Sequence, residues 1–171
     1  MGPFGHFAIG LAAKPSTPAV PLAVLLLATM ALDLLFFAFA LLHVGDATAW
    51  SHGLFMSILW SAAAGLIVLP IFRSYRVSAV VGLMVLSHWV LDFISHPIPF
   101  PSFSWRSWQW DFGHPLPPDL PIFFGSSPKV GLGLYNSMSA VEATALELGM
   151  FILGSVIYAN YRFKNGNERN T

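Results

Sequence analysis

Four apolar runs, at about residues 20–42, 53–72, 77–96 and 138–161, dominate this chain. Each is long enough to cross the ~30 Å hydrocarbon layer of a bilayer, which takes about 20 helical residues. Lipid offers a backbone no hydrogen-bond partners, so runs of this kind fold as helices. Only 9% of the residues are charged against 56% hydrophobic, with mean hydropathy +0.67. Charge that sparse cannot cover a water-soluble globule of this size. The expected fold class is all-α: an integral membrane bundle of four transmembrane helices plus a short N-terminal re-entrant or interfacial helix. One membrane-embedded domain, 1–171, is the expectation.

The N-terminal helix is the apolar stretch Phe4 to Ala13, which carries His6 and closes at Lys14-Pro15. At ~1.5 Å per residue it covers about 15 Å, half a membrane. The start lacks a basic region and makes a poor secretory signal. Lys14, Arg73, Arg76, Arg162, Lys164 and Arg169 fall on one side of a four-span arrangement. The rule that basic loops stay inside then puts both termini in the cytoplasm. The loop from His43 to His52 and the long loop 97–137 face outward. Phe100, Phe103, Trp105, Trp108, Trp110 and Phe112 in the long loop read as an interfacial aromatic belt.

Zero net charge argues against a nucleic-acid partner, and the absence of cysteine excludes disulfides, iron–sulfur clusters and thiolate zinc sites. Gly131-Leu-Gly-Leu lacks the Lys-Ser/Thr of a phosphate loop, and no Gly-x-Ser-x-Gly elbow is present.

The chemistry is carried by ionisable residues inside the apolar runs. His88, Asp92 and His96 lie at i, i+4 and i+8 on one helical face, about 6 Å apart along the axis. Imidazole and carboxylate are ligands that zinc and similar divalent metals accept. Asp33 sits mid-way along the first run, where a lone carboxylate calls for a partner. His52 lies at the outer mouth of the second run and Glu142 near the outer start of the fourth. A re-entrant His6 would reach mid-depth. His6 alone reads more readily as a terminal or interfacial histidine than as a ligand, and His52 equally as a helix-entry residue at the water interface. His43 and Asp46 read as solvated, and His114, Asp119 and Asp111 as weak candidates. Glu142 and Glu147 stand about 140° apart on a helical wheel, so both cannot face one site. Glu142 is the choice, with Glu147 a supporting or interhelical group.

The order Gly5-His6, Asp33, Ser51-His52-Gly-Leu-Phe-Met-Ser57 and His88-x-x-x-Asp92 resembles the YdjM-like family of small inner-membrane proteins, described as metal-dependent hydrolases. In that family an early His, a Pro-Asp-x-Asp, a Thr-His-Ser and a His-x-x-x-Asp recur. Pro118 to Pro121, Lys129 to Ser137 and Glu142 resemble a subgroup of it. This chain has Ala31-Leu-Asp33 in place of the paired aspartates and Ser51 in place of the threonine. The ligand order is also remotely similar to that of zinc-dependent phospholipase C and the P1-type nucleases. That resemblance implies His6 and Asp33 on one zinc, and His52, His88 and Asp92 on another. The later His-x-x-x-Glu of those enzymes is missing, since Met138 stands four residues before Glu142. Two metals are therefore expected rather than three.

The implied function is hydrolysis of a phosphoester, on a lipid or lipid-linked substrate in the inner membrane. Asp92 would bridge the metals, Glu142 would orient water or ligate, and His96 would be an outer ligand or proton shuttle. Two other classes stay open on the residues alone: a metal or proton transporter, and a non-catalytic assembly protein whose polar residues hold helices together.

Overall fold

A computed structural model describes residues 1–43, 47–95, 102–104, 109–111 and 132–167. These are helical apart from one short hairpin. Helix α1 (Pro3–Ala13) leads through a 3-10 turn, Lys14–Ser16, to α2 (Leu22–Thr29) and α3 (Ala31–Leu41). Then come α4 (Ala47–His52), α5 (Leu54–Phe72) and α6 (Tyr75–Ser95). Strands β1 (Ser102–Ser104) and β2 (Gln109–Asp111) pair antiparallel, with Phe103 opposite Trp110. A 3-10 turn, Leu134–Ser137, precedes the final helix α7 (Ala140–Asn167).

Among these, α5, α6 and α7 are each long and apolar enough to cross a membrane. Helices α2 and α3 meet that test only together, across a bend of 58°. The first apolar run is thus broken at Met30, where a straight span was expected. No proline or glycine stands at the break. Instead Thr29 turns its hydroxyl to the Leu26 carbonyl, and its own carbonyl accepts a bond from His88 Nδ1. A side chain inserted at a helix carbonyl is a recognised cause of a kink. The segment from His43 to His52, expected as a loop, is corrected in part: its second half is α4. Asp46, His96, His114 and Asp119, and the side chains of the aromatic belt and of Asp111, lie outside what is described.

Small residues set the helix spacing. A Cβ on Gly82 would stand 2.9 Å from the Ser61 carbonyl, and one on Gly65 3.1 Å from that of Ser78. The α5–α6 pair therefore packs backbone to backbone, as small residues allow between membrane helices. Helix α1 lies against α7 in the same way, since a Cβ on Gly154 would be 2.5 Å from the Ala8 carbonyl. Gly2 meets Glu147, Ala8 meets Gly154, and Pro15 and Pro18 share a groove with Ile157 and Tyr161. The two helices consequently run parallel, and α1 covers the middle and C-terminal part of α7. Leu25, Leu32, Val68, Val81 and Val85 form the apolar core among α2, α3, α5 and α6. Leu66, Ile67, Ile71, Leu83, Ile152 and Leu153 point outward. Large apolar side chains outside and ionisable ones inside are what a lipid environment selects.

Candidate metal centre

Four helices bring five of the expected ligands together. Helix α6 supplies His88 and Asp92, one turn apart on its buried face, as their i, i+4 spacing requires. Helix α1 supplies His6, α3 supplies Asp33 just past the break, and α4 ends on His52. His6, His52, His88 and Asp92 are buried, whereas the Asp33 side chain is 32% exposed.

The five form two triads that share one member. His6, His88 and Asp92 place their ligand atoms within 4.8 Å of one another, and so do Asp33, His52 and His88. Asp92 Oδ1 lies 3.4 Å from His6 Nε2, and Asp92 Oδ2 lies 3.3 Å from His88 Nε2 and 3.7 Å from His52 Nε2. Asp33 Oδ1 is 3.3 Å from His52 Nε2 and 3.5 Å from His88 Nε2. The resemblance implies His6 with Asp33, and His52 with His88 and Asp92. The geometry instead sets His6 with Asp92, and Asp33 with His52. His88 joins both groups.

Chemically, the cluster fits divalent cations. The rings of His6 and His88 are stacked, 3.7 Å between centroids and 2° from parallel, so protonating both would oppose two like charges face to face. Asp33, Asp92 and Glu147 bring three carboxylates to this depth, and the Met1 ammonium, paired with Asp92, supplies one cation. Unpaired negative charge is costly in such surroundings. His6 Nδ1 is buried and has no hydrogen-bond partner. Imidazole and carboxylate together suit zinc and its first-row neighbours. These buried groups could hold a metal ion.

One sequence expectation changes here. Glu142 does not reach the cluster: it is exposed, and its carboxylate accepts the backbone N–H and the hydroxyl of Ser139 at 2.7 and 2.8 Å. Ser139 Oγ in turn accepts the Glu142 N–H at 3.3 Å. This is a capping box at the start of α7, and its Ser-x-x-Glu spacing was readable in the sequence. Glu147 takes the buried place instead. Its Oε1 accepts the Gly2 N–H at 2.6 Å and the Tyr135 hydroxyl at 2.8 Å, tying α1 and the turn before α7 to one carboxylate. Burial, and then the Glu147 carboxylate, hold the Tyr135 proton above the usual phenol range. His43 is exposed at a left-handed turn, away from these groups. Sequence reasoning also missed the Thr29 carbonyl, because a main-chain ligand to His88 depends on a helix break that no residue type announces. No family model, curated protein or solved structure matches the chain.

Proposed function

We propose that this chain is a membrane-embedded metal-dependent hydrolase, acting on a phosphoester of a lipid or lipid-linked substrate and related to the YdjM-like proteins. One observation carries the reading: two ligand triads from separate helices meet on His88. In this reading α2 and α3 form one bent span, and with α5, α6 and α7 make four. Helix α1 is half-inserted, because its Ala8 packs on Gly154 near the middle of α7. The C-terminal end of α7 and the turn after α1 then lie on the cytoplasmic side of the inner membrane, with Lys14, Arg73, Arg76, Arg162 and Lys164. Met1, paired with Asp92, sits instead at the depth of the centre, so a cytoplasmic N-terminus is not part of this reading. The centre lies in the outer half, since Asp92 and Glu147 stand near the outer ends of α6 and α7.

Two zinc ions would be held by His6, His88 and Asp92 on one side and by Asp33 and His52 on the other. Divalent ions there would supply Lewis acidity, neutralising a phosphate and making a water nucleophilic near neutral pH. The chain's own part is to orient. Asp92 has one oxygen toward His6 and the other toward His52 and His88, and would serve as a ligand on both sides. Asp33 is the exposed edge, on a helix whose Leu34, Phe37 and Leu41 point outward. A substrate held in the bilayer by its own tail would approach along that edge.

A transporter would need polar groups across its whole depth. In the described residues the buried ionisable side chains gather at one level, and farther inward only Thr17 and Ser78 are buried and polar. That pattern favours a resident site over a conduction path.

Metal analysis of the purified protein, paired with a phosphoester substrate screen, tests the proposal. Two zinc equivalents and phosphodiesterase activity are expected, with both lost in His88→Ala and in Asp92→Ala. Full activity in either variant would sink the proposal, and metal-free wild-type protein would do the same.

A further inference from the structure

His52 Nε2 and His88 Nε2 face each other at 3.2 Å. At that distance one must donate to the other, or both must turn lone pairs toward a third party. The outer nitrogen of each ring decides which. His88 Nδ1 lies 2.7 Å from the Thr29 carbonyl, which can only accept. Its proton is therefore on Nδ1, and its Nε2 is bare.

The outer nitrogen of His52 faces a hydroxyl, which can give or take. Ser51 Oγ stands 2.7 Å from His52 Nδ1 and 2.8 Å from the Ala47 carbonyl. The carbonyl can only accept, so the single serine proton goes to Ala47 and a lone pair turns toward His52. The imidazole then carries its proton on Nδ1, and its Nε2 is bare as well. Two bare nitrogens thus converge with Asp33 Oδ1, 3.3 and 3.5 Å away. Such a group of lone pairs repels itself and draws cations. With one lone pair each, His88 Nε2 would serve the ion on the His6–Asp92 side and His52 Nε2 the ion beside Asp33.

We propose that Ser51 is a positioning residue of the metal centre, holding His52 in the Nδ1–H form so that Nε2 faces inward as a ligand. The inference rests on the metal-centre reading above. Ser51 is itself fully buried in α4, which α5 pins through the Trp60 indole N–H on the Trp50 carbonyl at 2.8 Å. Without the hydroxyl, His52 Nδ1 loses its acceptor. The proton then moves to Nε2, where Asp33 or His88 receives it, and the ligand position is blocked.

The test is cobalt titration and zinc competition against a chelator, on the full-length protein in detergent. Ser51→Ala should keep its helicity and still bind at saturating metal. Its zinc affinity should fall by about 10–100-fold, the usual cost of removing a group that orients a ligand. Its cobalt d–d bands should shift. Ser51→Thr restores the hydroxyl and should recover both affinity and spectrum. Wild-type binding and spectrum in Ser51→Ala, while His52→Ala loses metal, would overturn the role of Ser51 and leave the metal centre standing. Equal weakening in the Ala and Thr variants would also overturn it, as an effect of packing alone. If wild-type protein binds no metal, the metal centre and the positioning role fall together.

Discussion

The two triads share His88 yet differ in how they meet their surroundings. His6, His88 and Asp92 are sealed between α1 and α6, with α7 closing over α1. Asp33 and His52 sit on α3 and α4, and Asp33 is partly open. A sealed triad can hold an ion but cannot pass a substrate. The open one can do both. In the proposed hydrolase, holding would fall to the α1–α6 side and exchange with the bilayer to the α3–α4 side.

Splitting the triads is the most direct way to break that comparison. His6→Ala should remove one metal equivalent and Asp33→Asn the other, while His88→Ala removes both. The Asp33 variant should abolish turnover and still keep the inner ion through purification. Inductively coupled plasma measurement of zinc per chain checks all three. If His6→Ala and Asp33→Asn each lose all their metal, the centre is one indivisible unit and the distinction between its sides is void.

A smaller effect comes from the wall behind the sealed triad. Helix α1 reaches its place because Gly154 leaves room for the Ala8 carbonyl. Gly154→Leu forces the two backbones apart, and overpacking of this kind costs about 1–3 kcal/mol. His6 rides on α1 and should retreat from Asp92, so the inner ion binds more weakly while the outer triad keeps its ion. Thermal unfolding in detergent, with metal stoichiometry on the same samples, reads both effects. Loss of the outer ion as well would show that α1 supports the whole centre.

These features differ in how far the sequence reveals them. His88 and Asp92 share a helical face by spacing alone, so their pairing is legible without a structure. The apolar runs likewise announce α5, α6 and α7. Which early residue faces which ligand is not legible, because it depends on two tertiary events. One is the break at Met30, held by the His88 side chain, which takes the carbonyl of Thr29, 59 residues before it. The other is the parallel docking of α1 on α7. Both set the triads, and neither leaves a periodic trace. The choice between Glu142 and Glu147 is intermediate. Helical geometry shows that only one can face inward, and the capping box, read as such, selects Glu147.

That choice supplies the last test, at the rim of the sealed side. Glu142→Ala should loosen only the first turn of α7, with a slight fall in thermal stability and no change in bound metal. Glu147→Gln keeps an acceptor for the Gly2 N–H, so α1 should stay docked and the inner ion should be retained. Its signature is the titration of Tyr135. In the wild type this phenol holds its proton above the ordinary 10.0, because burial and then Glu147 disfavour the phenolate. A pKa raised on folding gives a stability contribution that is whole below the unfolded value and is lost as pH climbs through the folded one. Removing the carboxylate should narrow that window by bringing Tyr135 back toward its ordinary value. Phenolate absorbance against pH, with Tyr135→Phe as the difference control, resolves the shift among the four tyrosines. Superimposable curves for wild type and Glu147→Gln would mean that Glu147 does not set the charge at this rim. With Asp92 paired to the Met1 ammonium, the sealed side would then carry no net negative charge to draw a cation.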